Sequence, residues 1–568
     1  MRQTAAISAT GLLRDFSQVG VLGLADVHIA RTMTSLVAQT SPDVALAAAL
    51  TMRAWRTGST CLDILQADAL GADLDAEVAP DISGLPWPQP AGWLDSLRAS
   101  SLVGGPDDDQ PLCLDGHRLY LRRTFKAQCE VVGHLRERWL APPPVPPIGA
   151  TGDPVVDAVL TQWTQVLTGG PGTGKTTAIA RVVDALLPVL PNIALAAPTG
   201  KAAARLAQAL GPGSPQPTTV HRLLGARGPG RGNRYGKDNP LSADIVIVDE
   251  LSMVSLPLMA ALLAALRPGS RLMAVGDPGQ LASVEAGAVL ADIVEAGVTA
   301  SAHGDAPLVH HLTHIYRHGG ALAHLSAAVA AGDAAAALSI IDGQQDAITL
   351  EGQDAAGLTW DRLPSLASTV RDTAAAVQRA AAAGDSDAAL AALDAHRLLC
   401  AHRQGPYGVA TWARQVATLT TPPGRRYDDW WPGRAVLATA TTPDLGVISG
   451  DQGVAIMTPE GPRLVFDSAD GPPRRLPVEA LPGLATLDAM TVHKAQGSEF
   501  ASVTVVLPPA ESPLLIRPLL YTAMTRAKQS LRLVGTREQL EKGIATAPHR
   551  ASGLAQQLGS QLRSNQSP

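Results

Sequence analysis

Gly169-Gly-Pro-Gly-Thr-Gly-Lys-Thr176 decides how this chain is built. It fits the pattern G-x-x-x-x-G-K-[ST], follows the short strand-like run Val166–Thr168, and opens a helical pattern that lasts to Leu187, just before Pro188. In that setting Gly169, Gly170, Pro171, Gly172, Thr173, Gly174, Lys175, Thr176 and Thr177 read as a phosphate-binding loop. The glycines let backbone N–H groups face the phosphates, Lys175 reaches the β and γ oxygens, and Thr176 holds Mg²⁺ at the helix N-terminus. ATP and Mg²⁺ are therefore the expected ligands. The lysine is itself informative, because only seven of the 45 basic residues are Lys and the other 38 are Arg. The two cations are not interchangeable at a phosphate.

Working outward, Ile193–Ala196, Ile245–Val248 and Leu272–Val275 join Val166–Thr168 as four buried strands alternating with helical patterns, the signature of parallel α/β layering. The third of these runs into Asp249 and Glu250. Asp249 is placed to hold Mg²⁺ with Thr176, and Glu250 to orient or deprotonate a water, a pair that points to hydrolysis. Ala274-Val-Gly-Asp-Pro-Gly-Gln280 ends another strand in a turn that offers Gln280 to the γ-phosphate.

Taken in order, these segments resemble the RecD family of superfamily 1 DNA helicases. The resemblance also rests on Ala197-Pro-Thr-Gly-Lys-Ala-Ala-Ala-Arg-Leu206, Thr218–Gly225, Leu312-Thr-His-Ile-Tyr-Arg317, Leu399–Gly408, Thr491-Val-His-Lys-Ala-Gln-Gly-Ser-Glu-Phe500 and Leu520-Tyr-Thr-Ala-Met-Thr-Arg-Ala-Lys528. It covers about residues 150–535, and four of the seven lysines (175, 201, 494 and 528) lie inside the quoted segments. It implies an α/β chain with two RecA-like P-loop motor domains, a mostly helical N-terminal domain and a small SH3-like β-barrel insertion. By the same resemblance Arg317 and Arg526 act as arginine fingers, Tyr316 stacks on adenine and Glu499 contacts the ribose. Pro198, Thr199, His221, Thr491, His493 and Lys494 then touch the DNA backbone, where contacts position a strand without reading it. One departure stands out: where the family carries a Gln that reads adenine, this chain has Asp153-Pro-Val-Val-Asp-Ala-Val159, so strictness for ATP is open.

The organisation follows from composition shifts. Five prolines between Pro142 and Pro147 mark a stiff spacer over 142–148, which sets off an N-terminal partner-binding domain, 1–141. The first motor is expected over 149–305, the second over 306–430 and 486–568. Across 431–485 helical periodicity vanishes, and Val436–Ala438, Gly446–Ile448, Val454–Met457 and Leu464–Phe466 read as strands of the insertion. Ala330-Ala-Gly-Asp and Ala382-Ala-Gly-Asp read as the corners of two helix–turn–helix units. His310, His314 and His318 repeat at helical spacing beside His311. With no Cys nearby and Asp305 the only close carboxylate, they do not read as a zinc site.

Composition limits the function classes. The 568 residues are 46% apolar and 17% charged, enough for several cores. Four scattered cysteines with no C-x-x-C pair give no metal or disulfide framework, and no stretch reads as a leader or a membrane span, so a cytoplasmic protein without membrane contact is expected. A net charge of −6 and 3% aromatics argue against a passive nucleic-acid coat. The expectation is an ATP-dependent 5′→3′ helicase and translocase subunit, a DNA-stimulated ATPase that acts on DNA single strands and duplex ends. It would work with RecB-like and RecC-like subunits in recombinational repair and carry no nuclease site of its own. A stand-alone repair helicase and a regulatory subunit with a dead motor are the alternatives.

Overall fold

The computed structural model describes residues 9–37, 40–69, 78–140, 151–228, 231–297, 309–313, 320–343, 346–426, 429–467 and 472–564. The expected proline spacer 142–148, together with His314, Tyr316, Arg317 and His318, lies outside them.

The chain opens with helices α1 (Leu12–Gln18), α2 (Leu24–Thr34) and α3 (Pro42–Arg56). The last starts cleanly because Ser41 accepts the Val44 N–H and Pro42 fills the first helical position. Strand β1 (Leu62–Asp63), helix α4 (Pro90–Arg98) and strands β2 (Val103–Gly104), β3 (Leu112–Asp115) and β4 (Arg118–Leu121) follow. The strands form a small sheet, β1-β4-β3-β2, over a core holding Phe16, Leu46, Leu50 and Trp93. The long helix α5 (Arg122–Leu140) then leaves this domain.

The first lobe contains α6 (Pro154–Thr161), β5 (Thr164–Gly169), α7 (Lys175–Leu186), β6 (Ile193–Ala197), α8 (Gly200–Leu210), β7 (Thr218–Thr219), α9 (Val220–Leu223), β8 (Ile245–Val248), α10 (Leu256–Ala265), β9 (Arg271–Gly276), α11 (Val289–Gly297) and β10 (Val309–Leu312). Its six strands pair in parallel in the order β10-β5-β9-β8-β6-β7. Strand side chains alternate between faces, and both faces are covered. Val246, Val248 and Leu272 enter one core, Ile245, Ile247 and Met273 the other. The expected division at 305/306 assigns β10 to the second motor. Its register against β5, Val309 to Val166 through Leu312 to Gly169, makes it an edge of the first sheet instead. His310 and His311 are therefore strand residues, not members of a helical face.

The second lobe contains α12 (Ala321–Ala331), α13 (Ala334–Gly343), β11 (Ile348–Leu350), α14 (Pro364–Ala382), α15 (Ser386–Leu393), β12 (His396–Cys400) and α16 (Val409–Thr420). An insertion of β13 (Ala435–Ala438), β14 (Gln452–Thr458), β15 (Gly461–Phe466), β16 (Arg474–Pro477) and β17 (Leu484–Thr486) interrupts it. It resumes with β18 (Met490–Thr491), β19 (Phe500–Val506), α17 (Arg517–Met524), β20 (Ala527–Val534), α18 (Arg537–Ala545) and α19 (Leu554–Ser564). Its sheet, β11-β20-β19-β12-β18, is again parallel throughout. The two lobes are the expected RecA-like pair.

The insertion is an antiparallel sheet, β16-β15-β14-β13-β17. The strand expected at Gly446–Ile448 does not form. Gly446 sits at φ 65, a turn conformation, and Val447 makes a single bridge to Thr442.

Two helices cross the expected boundaries. Val131, Val132, Leu135 and Trp139 of α5 enter the first lobe's core, and Leu554 and Leu558 of α19 join them there beside Ile293 and Ala296 of α11. The final helix, expected in the second motor, thus packs on the first. Among the described residues no helix is long and apolar enough to cross a membrane.

Candidate active site

The phosphate loop runs from the C-terminal end of β5 to the start of α7, where backbone N–H groups lack helical partners. Gly172 and Gly174 adopt φ 74 and 82, which a side chain disfavours. A Cβ at Gly169 would collide with the Thr173 hydroxyl, which itself donates to Gly170 O at 2.8 Å. Lys175 Nζ donates to Gly169 O at 2.6 Å and Gly170 O at 2.9 Å, curling the ammonium over its own loop. Thr176 is half-buried in the first turn of α7 and Thr177 is exposed.

Asp249 and Glu250 follow β8, whose four residues are all buried. Glu250 has φ 53, the only positive value at a non-glycine among the described residues. Backbone in that region is strained and gathers at functional sites. Burial pushes the Asp249 carboxyl up, the Glu250 charge pushes further, and the cations of Lys175 and Arg205 oppose them. A divalent cation would relieve that penalty. One buried carboxylate and a helix-start hydroxyl suit Mg²⁺, which completes its shell with phosphates and water. The described residues hold no group of three or more His, Cys, Asp and Glu able to bind a metal unaided.

Gln280 is buried after β9 and donates through Nε2 to Asp277 Oδ2 at 3.1 Å. Tyr521 of α17 donates its hydroxyl to the same oxygen at 2.9 Å, and a Cβ at Gly170 would stand 3.2 Å from that hydroxyl. Leu281 N–H donates to Thr522 Oγ1 at 2.8 Å and Gln496 Nε2 to Leu281 O at 2.9 Å. The bonds of Tyr521, Thr522 and Gln496 each join one lobe to the other. Arg526 is buried just beyond α17, donating Nε to Thr522 O at 2.9 Å, Nη1 to Ser498 O at 3.2 Å and Nη2 to Thr525 Oγ1 at 3.1 Å. Burial lowers its pKa, and the charges that oppose this most are Glu250 and then Glu499. The charge of the acid at the end of β8 thus acts on a guanidinium whose hydrogen-bond acceptors all lie in the second lobe. Glu499 also reaches the interface, pairing with Arg205 of α8 at 2.7 Å and Lys528 at 3.8 Å.

A cavity of about 600 Å³ opens beside the phosphate loop. Thr168–Pro171, Thr173 and Asp277 line it from the first lobe, and Tyr521, Thr525, Lys528 and Gln529 from the second. Its size suits a nucleotide.

The expected DNA contacts gather at the ends of parallel strands. Pro198 and Thr199 follow β6, and His221 follows its neighbour β7, exposed on α9. Thr199 caps α8 by accepting the Ala202 N–H. Thr491 ends β18 and accepts the Lys494 N–H at 3.3 Å, while Lys494 itself is exposed. Burial, helped by Arg550 and Arg403, lowers His493 to about 4. Sequence reasoning missed Tyr521, Asp277, Thr522, Gln496 and Arg205. All five lie in or beside segments it had quoted, but their contacts depend on how the lobes dock.

Three family models match the chain: the RecBCD enzyme subunit RecD N-terminal domain over residues 18–120, an AAA domain over 153–352 and the UvrD-like helicase C-terminal domain over 486–534. The RecBCD enzyme subunit RecD of Mycobacterium tuberculosis is 41% identical across 98% of both chains. That of Mycolicibacterium smegmatis is 40% identical over 96% of this chain and 99% of its own. The ATP-dependent RecD2 DNA helicase of Deinococcus radiodurans is 32% identical over 74% of this chain and 56% of its own. Among solved structures, the Pif1 helicase of Candida albicans is 17% identical over 71% of this chain and 98% of its own, with a TM-score of 0.38.

Proposed function

The chain belongs to the RecD family of superfamily 1 helicases, ATP-dependent DNA helicases, and on that premise we propose that it is the 5′→3′ motor subunit of a RecBCD-type complex acting on double-strand ends. It is 41% identical to a RecD subunit against 32% to the RecD2 helicase, which favours a subunit over a stand-alone enzyme.

ATP enters between the lobes, with its phosphates on the loop Gly169–Thr177 and Lys175 unfolding from its own carbonyls to meet the β and γ oxygens. Thr176 and Asp249 would hold Mg²⁺, which would neutralise phosphate charge. Glu250 orients the attacking water and takes its proton. Gln280, steadied by Asp277, senses the γ-phosphate, and Arg526 supplies positive charge across the cleft where charge develops. Arg317 is assigned the companion finger and Tyr316 the adenine stack from the resemblance. The ribose role of Glu499 is supported by Lys528, its second partner, which lines the cavity. Pro198, Thr199, His221, Thr491, His493 and Lys494 grip one strand across both lobes, so closure and reopening shift the grip along it. We divide the chain into an N-terminal partner-binding domain, a first motor ending with β10, and a second motor split by the β insertion. RecB-like and RecC-like chains are the proposed partners, in the cytoplasm.

The observation that carries this reading is the cavity between the lobes, lined by Gly169, Gly170 and Pro171 on one side and by Tyr521, Thr525 and Lys528 on the other. Lys175→Gln should cut DNA-stimulated ATP hydrolysis by about a hundredfold or more while the variant still co-purifies with its partner subunits. Hydrolysis at the wild-type rate would place the reaction elsewhere.

A further inference from the structure

Helix α8 turns a charged face to the second lobe that the hydrolysis chemistry above leaves unused. Arg205 meets the Glu499 carboxylate at 2.7 Å across the lobe boundary. Lys201, one turn earlier on the same face, stands 5.9 Å from the ring centroid of Phe500. Burial lowers Lys201 to about 8, with the charge of Asp394 the main opposing influence and that of Asp451 a smaller one. The helix also lies close against its neighbours. A Cβ at Gly200 would collide with Ile448 of the insertion, and one at Gly497 would sit 3.6 Å from Ala202. At its start α8 carries Thr199, a proposed DNA contact. Two turns on, its Arg205 reaches Glu499. Arg205 is also among the charges acting on both Asp249 and Arg526.

We propose that Arg205 is a positioning residue for ATP hydrolysis: by anchoring Glu499 across the interface it holds Arg526 in place and links the DNA-gripping start of α8 to the reacting phosphate. The route is short. Ser498, next to Glu499, accepts Arg526 Nη1 through its carbonyl, so fixing Glu499 fixes the acceptor that orients the guanidinium. A half-exposed ion pair adds little stability, so the pair's effect lies in geometry. This inference rests on the ATP-hydrolysis reading.

The test uses the full-length chain, ATP and poly-dT single strands. Arg205→Gln should lower kcat at saturating DNA about tenfold, the size of a typical coupling between sites. The KM for ATP should rise by less than kcat falls, because Arg205 reaches the nucleotide only through Glu499. Arg205→Lys should recover most of the rate. A wild-type rate in Arg205→Gln, a lysine variant as slow as the glutamine one, or a KM that rises in step with the loss of rate would each overturn the proposal. A parallel Lys175→Gln arm separates the two failures. If that variant still hydrolyses ATP, the hydrolysis reading falls and this inference with it.

Discussion

At Tyr521 a single hydroxyl ties the lobes together. It donates to Asp277 Oδ2 across 244 residues of sequence, and burial with that carboxylate beside it raises the phenol's pKa, so it remains a donor. The same oxygen receives Gln280, so removing the hydroxyl loosens the residue proposed to sense the γ-phosphate. A hydrogen bond to a charged group contributes about 1.5 kcal/mol or more. Tyr521→Phe should therefore lower the melting temperature by a few degrees and kcat by up to about tenfold, as circular dichroism and steady-state hydrolysis will check. Gln280→Ala should cost more, since it removes the sensing group itself. Lys175, Asp249, Glu250 and Gln280 were legible in the sequence because each sits at a fixed offset from the end of a buried strand. Tyr521 and Arg205 were not, because their partners come from another lobe and no spacing rule links them.

Among the elements, those legible in the sequence carry their own start and stop signals. Both Ala-Ala-Gly-Asp phrases make the same corner. Gly332 and Gly384 take φ 77 and 74 at the end of one helix, and Asp333 and Asp385 accept the N–H of Ala336 and Ala388 at 2.9 and 3.0 Å to begin the next. Glycine is favoured there because a Cβ strains the left-handed region. Asp385→Ala should destabilise the second lobe by about 1 kcal/mol, read as a lower urea midpoint with unchanged ATP affinity. Strand β10 lacked such signals. Val309-His-His-Leu312 is half polar and lies at a sheet edge, where pairing with β5 rather than hydrophobicity makes it a strand. The strand expected at Gly446–Ile448 failed for the opposite reason, since Val447 enters the insertion's core from a turn and Ile448 lies against Gly200 of α8.

In the whole molecule, the C-terminal segment straps three parts together. Arg550 donates to Ser283 O at 2.7 Å, Thr60 N–H to Ala551 O at 2.9 Å and Gln128 Nε2 to Gln557 Oε1 at 3.0 Å. Ser552 donates to Asp292 Oδ2 at 2.8 Å, under a helix that shields the carboxyl from water. Such docking is set by long-range packing, which is why the proline spacer and the sequence's last element suggested simpler boundaries. Burial raises Asp292 from the usual carboxylate value to about 7. A raised folded pKa means that the docked state holds the proton more tightly, so the stability it confers is full below about pH 4, declines as pH rises, and is gone above about pH 7. Buried histidines act in the opposite sense. His396, His402 and His493 are lowered to about 3, 4 and 4 by burial, so their contribution is full above the usual value of 6.5 and is lost as pH falls toward 4. The strap's own dependence therefore appears only in a difference between two proteins that share those histidines. Asp292→Asn keeps an acceptor for Ser552 and removes the titration. Proteolysis of the C-terminal helix should accelerate between about pH 4 and 7 in the wild type relative to this variant, and an identical pH profile for the two would mean that Asp292 does not govern the strap.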